Sequence, residues 1–152
     1  MGLLCLATAK AGGLSQLVNA YALHNELLAH HPDALETLYQ PFHFDRRGEF
    51  REGESPTSRS PVFGWDGHGL TVRYLHYYID VGHEKAGQPL TPAQGKALDA
   101  LEALLARPDL RVEFALHPGQ MLFTNNRSIL HNRTAFEDHP EPERRRHYVR
   151  LW

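Results

Sequence analysis

The run Pro118-Gly119-Gln120-Met121-Leu122-Phe123-Thr124-Asn125-Asn126, leading into Leu130-His131-Asn132-Arg133-Thr134-Ala135-Phe136-Glu137, decides how this chain is read. It reads as strand, turn, strand. Pro118-Gly119 starts a tight turn, Met121 to Phe123 alternate faces as a core strand, and Asn125-Asn126 tolerate the left-handed backbone that a second turn needs. Ile129-Leu130 is a short apolar run, which puts His131 at the end of a strand. Fifteen residues on, Arg146 falls within another strand-like run that continues His147-Tyr148-Val149-Arg150-Leu151-Trp152.

A chain of 152 residues has the material for one domain with a buried core. Its 41% hydrophobic and 22% charged residues fit a globular protein rather than a disordered one. A net charge of −2 argues against non-specific nucleic-acid binding. Arg144-Arg145-Arg146, flanked by Asp138, Glu141 and Glu143, is too short and too well neutralised to be a basic tail. Eleven histidines raise the prospect of metal chemistry only slightly. The single Cys5 excludes an internal disulfide and a cysteine-based zinc site, and it suits the reducing cytoplasm. No membrane association is expected. Met1 to Ala9 is apolar but lacks the basic flank and length of a signal peptide, and Leu6 stands where myristoylation asks for Ser or Thr. A buried strand is the better reading of that stretch.

Lys10-Ala11-Gly12-Gly13 then reads as a turn and Ser15 to Val18 as a short strand. Asn19 caps a helix from Ala20 to about Ala29 with Tyr21, Leu23, Leu27 and Leu28 as its apolar stripe. Pro32-Asp33 starts a second helix that turns Leu35 and Leu38 inward. At Phe42 and Phe44 the period changes to two, and Arg46 to Ser60, without periodicity, is expected as a surface loop or lid. Pro61 to Trp65, the turn Asp66-Gly67, and Leu70 to Ile79 read as a β-hairpin. On it Arg73-Tyr74 and His76 either pack the sheet or line a substrate cavity. Thr91-Pro92 opens the clearest helix, with Leu98, Leu101, Leu104 and Leu105 as its buried stripe up to Pro108. Val112, Phe114 and Leu116 alternate as a strand. The whole is mostly β with flanking helices, a barrel or jelly roll packed against helices.

These residues resemble a known family. Gly119-Gln120-Met121-x-Phe123-x-Asn125-Asn126, Leu130-His131-x-Arg133-Thr134-Ala135-Phe136, Arg144-Arg145-Arg146 and Arg150-Leu151-Trp152 are similar to segments of the taurine dioxygenase-like (TauD/TfdA) Fe(II)- and 2-oxoglutarate-dependent dioxygenases. Gly12-Gly13-Leu14-Ser15 resembles that family's Gly-Gly-x-Ser/Thr segment. The resemblance implies a double-stranded β-helix, or jelly roll, with helices on one side. It implies hydroxylation of a small organic acid or amino-acid-like substrate by O2, with 2-oxoglutarate as cosubstrate. In the family two histidines and a carboxylate hold Fe(II) and leave one face open for 2-oxoglutarate and O2. By the motif match His131 is the distal iron ligand, Arg146 the 2-oxoglutarate arginine, Arg150 a second arginine near an acid group, and Ser15 a hydroxyl donor to 2-oxoglutarate. A guanidinium fork suits this task because it meets a carboxylate through two parallel charge-assisted bonds. Taken alone, each has a plainer reading: His131 as structural, Arg146 in a surface ion pair, Ser15 as a turn residue.

The family's other two ligands come from a His-x-Asp/Glu motif ahead of the Gly-Gly-x-Ser segment, and residues 1–11 contain neither histidine nor acid. The expectation is one domain over 1–152, truncated at its N-terminus and short of two ligands, so whether this chain alone is an enzyme stays open. His43-Phe44-Asp45 and His24-Asn25-Glu26 imitate the missing motif. The first has both polar side chains on one strand face; the second reads as an exposed helix face. The competing class is a non-catalytic jelly-roll binding or scaffold protein that has lost the iron site. A barrel short of strands exposes sheet edges and core, so self-association into a homo-oligomer is also expected.

Overall fold

The apolar opening Gly2–Ala7 forms β1, the middle of a three-stranded antiparallel sheet between β12 (His147–Leu151) and β9 (Met121–Phe123). The register pairs Gly2 with Leu151, Leu3 with Arg150 and Cys5 with Tyr148, and on the other side Gly2 with Phe123. A second three-stranded sheet has β3 (Ser15–Asn19) between β10 (Ile129–Arg133) and β8 (Arg111–Phe114). A short pair, β2 (Ala11–Gly12) with β11 (Phe136–Glu137), lies within the stretch expected as a plain turn. Gly12 is required there: its φ is +70°, and a β-carbon would stand 2.2 Å from the Ala135 carbonyl oxygen. These strands make one of two compact units, residues 1–19 with the stretch from Pro108 onward. The computed structural model describes residues 1–151, so Trp152 of the terminal motif lies outside the described residues.

The second unit, Ala20–Arg107, is mainly helical. It holds α1 (Ala20–His30), α2 (Pro32–Leu38), α3 (His76–Ala86) and α4 (Pro92–Leu105), with the strand pairs β4 (Phe42–Asp45)/β5 (Thr57–Ser60) and β6 (Phe63–Trp65)/β7 (Leu70–Val72). Its core is built from Leu23, Leu27, Leu38, Phe42, Phe44, Val62, Phe63, Ile79, Leu98 and Leu101, all nearly inaccessible to water. Thr91 closes a capping box on α4: its hydroxyl accepts from the Gln94 N–H at 3.2 Å, and the Gln94 side chain accepts from the Thr91 N–H at 3.0 Å. No helix among the described residues is long and apolar enough to cross a membrane.

Several local expectations are corrected. The hairpin strand ends at Val72, and His76–Ala86 is helical. The buried face of that helix is Ile79, Gly82 and His83, so its period is carried by a glycine and a histidine rather than by an apolar stripe. The Arg46 to Ser60 loop gives up its last four residues to β5, whose Thr-Ser-Arg-Ser pairs with β4 without an apolar pattern of its own. Asn125 and Asn126 keep negative φ; among the described residues Arg47 is the non-glycine with positive φ, at 52°. Asn125 instead turns the chain by accepting the Arg127 N–H on its side chain at 3.1 Å. Met121 and Phe123 are exposed rather than core, as are Tyr21 and Leu28 on α1. His131 lies in the middle of β10, not at its end, and Arg146 immediately precedes β12.

Helix α3 lies against β4 at backbone distance. A β-carbon on Gly82 would stand 2.4 Å from the His43 carbonyl oxygen, and the buried His83 ring accepts the His43 N–H at Nε2 (3.1 Å) while Nδ1 donates to the Gln88 carbonyl (2.7 Å). Gly82→Ala therefore has to push two backbones apart and is expected to cost about 1–3 kcal/mol. Gly95, inside α4 with open space around it, should respond oppositely: Gly95→Ala gains up to about 1 kcal/mol of helix propensity. Urea unfolding of the two variants checks both signs.

Candidate active site

Strand alternation decides which side chains can meet. Ser15 pairs with Arg133 and Phe114, and Leu17 pairs with His131 and Val112. Ser15 and His131 therefore lie on one face of the β10-β3-β8 sheet, one pair apart. Ser15 is buried, while His131 is solvent-accessible. In the β12-β1-β9 sheet, Tyr148 and Arg150 share a face with Cys5 and Leu3. The two faces are in electrostatic contact. The His131 imidazole is held below its ordinary pKa, first by partial desolvation, then by the Arg150 guanidinium and the N-terminal ammonium of Met1. That ammonium is itself tied to the Thr124 carbonyl at 2.9 Å.

Arg146 is half-buried and joins the Arg150 face through its neighbour: its guanidinium carbon lies 3.8 Å over the Tyr148 ring. It also lies 5.5 Å from the Phe136 ring, and its Nε is 3.4 Å from where a β-carbon on Gly13 would stand. The backbone N–H of Arg146 donates to Asp138 Oδ1 at 2.8 Å. The surface ion-pair reading has no support, because the Arg146 Nε is buried without any hydrogen-bond partner. A buried, unanswered guanidinium donor is costly in an empty fold and fits a bound carboxylate. An open cleft of about 370 Å³ borders it, between Leu6 and Ala7 on one side and Glu143, Arg145, Arg146 and His147 on the other.

The imitators of the ligand motif are engaged elsewhere, in the helical unit. The His43 ring nitrogens lie 3.2 Å from Thr57 Oγ1 and 3.3 Å from Gln88 Oε1. Asp45 pairs with Lys85 at 2.8 Å and accepts the Arg47 N–H, which together hold its carboxyl below the usual range. His24 meets the Tyr39 hydroxyl at 3.0 Å, and Glu26 pairs with Arg107. Of the residues placed on the hairpin, Arg73 lies 4.3 Å over Phe44 and donates to Ser58 at 3.2 Å. Tyr74 donates to Glu102, and His76 Nδ1 is 3.3 Å from the same carboxylate. Among the described residues no three His, Cys, Asp or Glu side chains stand close enough to hold a metal ion. The residues present thus fit a carboxylate ligand but do not by themselves make an iron site. The packing of Phe136, Tyr148 and Gly13 on Arg146 went unread in the sequence, although Tyr148, two residues along a strand from Arg146, could have been placed on its face by period two.

Solved structures with this arrangement fix its class. An asparagine oxygenase in complex with Fe(II), 2S,3S-3-hydroxyasparagine and succinate matches 95% of this chain and 42% of its own, with a TM-score of 0.67 and 22% identity. The non-heme iron oxygenase OrfP in complex with Fe matches 97% of this chain and 43% of its own, with a TM-score of 0.65 and 15% identity. The fold is accordingly the jelly roll of the 2-oxoglutarate oxygenases, with flanking helices. The chain belongs to the Taurine catabolism dioxygenase TauD, TfdA family, whose model matches residues 1–152. Relatives include the FR-33289 synthase of Streptomyces rubellomurinus, 35% identical over 99% of this chain and 45% of the relative. A uridine-5'-phosphate dioxygenase of Amycolatopsis sp is 34% identical over 97% of this chain and 52% of the relative. The chain thus spans about half the length of the curated relatives it matches.

Because the folded state lowers the His131 pKa, the unfolded chain binds more protons between the folded value and the ordinary one of about 6.5. Stability therefore falls as pH drops through that window and is restored above it. An imidazole titration by NMR should place the His131 midpoint below the ordinary histidine value. Arg150→Gln should raise it only part of the way, since desolvation is the larger cause. A midpoint unmoved by that substitution would separate the two sheet faces.

Proposed function

We propose that this chain carries the distal part of an Fe(II)/2-oxoglutarate-dependent dioxygenase site within one TauD/TfdA-like oxygenase domain over 1–152. In this reading Arg146 anchors the 2-oxoglutarate carboxylate, Ser15 donates a hydrogen bond to it, Arg150 lies near an acid group, and His131 is one iron ligand. The observation that carries the reading is the buried, unpartnered Nε of Arg146, on the same sheet face as an arginine that His131 feels electrostatically. Membership of the family and the oxygenases among its relatives support it. They do not favour the scaffold alternative.

Bound 2-oxoglutarate supplies two electrons for the reduction of O2, leaving as succinate and CO2 while one oxygen atom enters a substrate C–H bond. The chain's own part is to bind and orient. The guanidinium of Arg146 fixes the distal carboxylate, and the neutral form of His131, favoured by its surroundings, keeps a nitrogen lone pair free for a metal. The remaining ligands would be supplied from outside these 152 residues, and no step through iron is derived from them. The substrate class is a small organic acid or amino-acid-like molecule. The free, buried Cys5 suits a cytoplasmic setting. The exposed apolar residues Met121, Phe123 and Leu151 on the other face of the β1 sheet favour pairing with a second copy.

Calorimetric titration of the chain with 2-oxoglutarate is the direct test. Arg146→Gln should weaken binding by at least about ten-fold, and Arg146→Lys should not rescue it. With Fe(II) and 2-oxoglutarate under anaerobic conditions, the visible charge-transfer band should be absent from this chain. It should appear when a His-x-Asp segment precedes residue 1, and disappear again with His131→Ala. A band in the 152-residue chain that His43→Ala abolishes would move the metal site into the helical unit.

A further inference from the structure

Arg146 is held by groups that no role in the oxygenase motif explains. Its guanidinium carbon is 3.8 Å from the centre of the Tyr148 ring and 5.5 Å from that of Phe136. Arg133 lies over the same Phe136 ring at 4.1 Å, and a β-carbon on Gly13 would stand 3.4 Å from both Arg146 Nε and Phe136 Cβ. The Tyr148 ring is itself fixed, its hydroxyl donating to the Leu116 carbonyl at 3.2 Å. The Nε is thereby sealed from water yet makes no hydrogen bond. A guanidinium in water turns freely about its side-chain torsions. Here a ring covers a face, the missing side chain of Gly13 makes the room, and only the terminal nitrogens stay available.

We propose that Phe136 and Tyr148 are positioning residues that clamp the Arg146 guanidinium in one plane, with Gly13 leaving the space, so that a ligand carboxylate is met end-on by the two Nη atoms. This rests on the reading of Arg146 as the 2-oxoglutarate anchor and explains how that anchor is pre-set. A cation over an aromatic face is attracted by the ring's quadrupole, most strongly where water is excluded, and a fixed fork loses less freedom on binding. The clamp also supplies the geometry that an ammonium could not use, since Lys has neither a plane to stack nor a fork to offer.

Two measurements on the same variants decide it. In wild type, the Arg146 Nε–H resonance should be shifted upfield by the Tyr148 ring current and slow to exchange with water. Tyr148→Phe keeps the ring and should keep both the shift and the 2-oxoglutarate affinity. Tyr148→Leu should abolish the shift and weaken 2-oxoglutarate by about five-fold with the fold's methyl spectrum preserved. Phe136→Leu, at a more exposed position, tests the second ring should the first variant fold poorly. An unshifted wild-type resonance, or affinity retained in both leucine variants, overturns the clamp. If Arg146→Gln binds 2-oxoglutarate as wild type does while the wild-type shift is present, the cosubstrate reading is what fails.

Discussion

The antiparallel pairing of the first strand with the last is the constraint on which the candidate site depends. Leu3 opposite Arg150 and Cys5 opposite Tyr148 put the aromatic ring under Arg146 and turn Arg150 toward His131. A slip of one residue would send Tyr148 and Arg150 to the opposite face. The register is protected by burial contrast: Cys5 is fully buried on the arginine side, and no polar residue of β12 could take its partner's place without losing that contact. The sheet of β3 makes the matching demand, since Ser15 and His131 share a face only in the observed pairing.

The two units solve stability differently. The helical one encloses three phenylalanines and the leucines of α1, α2 and α4, and it welds α3 to β4 through Gly82 and His83. The strand unit has Cys5, Val18 and Leu116 as its buried apolar side chains among the described residues. Its order comes instead from backbone pairing, from Thr134 accepting the Leu14 N–H at 2.9 Å, and from the stacked arginines. The site residues are thus carried by the unit with the smaller core, where hydrogen-bond register rather than close packing sets their places.

What was legible in the sequence follows from where each signal is stored. Helix α4 carries its start, its stripe and its end within fifteen residues, so Thr91-Pro92 and the leucines suffice. Family and jelly roll were readable from the terminal motifs. Helix α3 was hidden because Tyr77, Tyr78 and Ile79 look strand-like and the true inward positions are Gly82 and His83. Strand β5 was hidden because its pairing, not its composition, makes it a strand. In the candidate site, His131 and Arg146 could be nominated from their motif. The unpaired Nε and the rings beside it could not, because they depend on Gly13, Phe136 and Tyr148 converging from three distant segments.

The glycine at position 2 has a thermodynamic consequence. Having no side chain, it lets the Phe123 ring lie over β1, 3.1 Å from where its β-carbon would be, with Leu151 at 3.5 Å on the far flank. Phe123 and Leu151 are 70% and 45% exposed, so this hydrocarbon strip is already hydrated in the folded monomer. Unfolding then wets less new apolar surface than the chain's length implies. The heat-capacity increment should fall below the roughly 12–15 cal/mol/K per residue usual for globular domains, and the stability curve should be correspondingly flat with temperature.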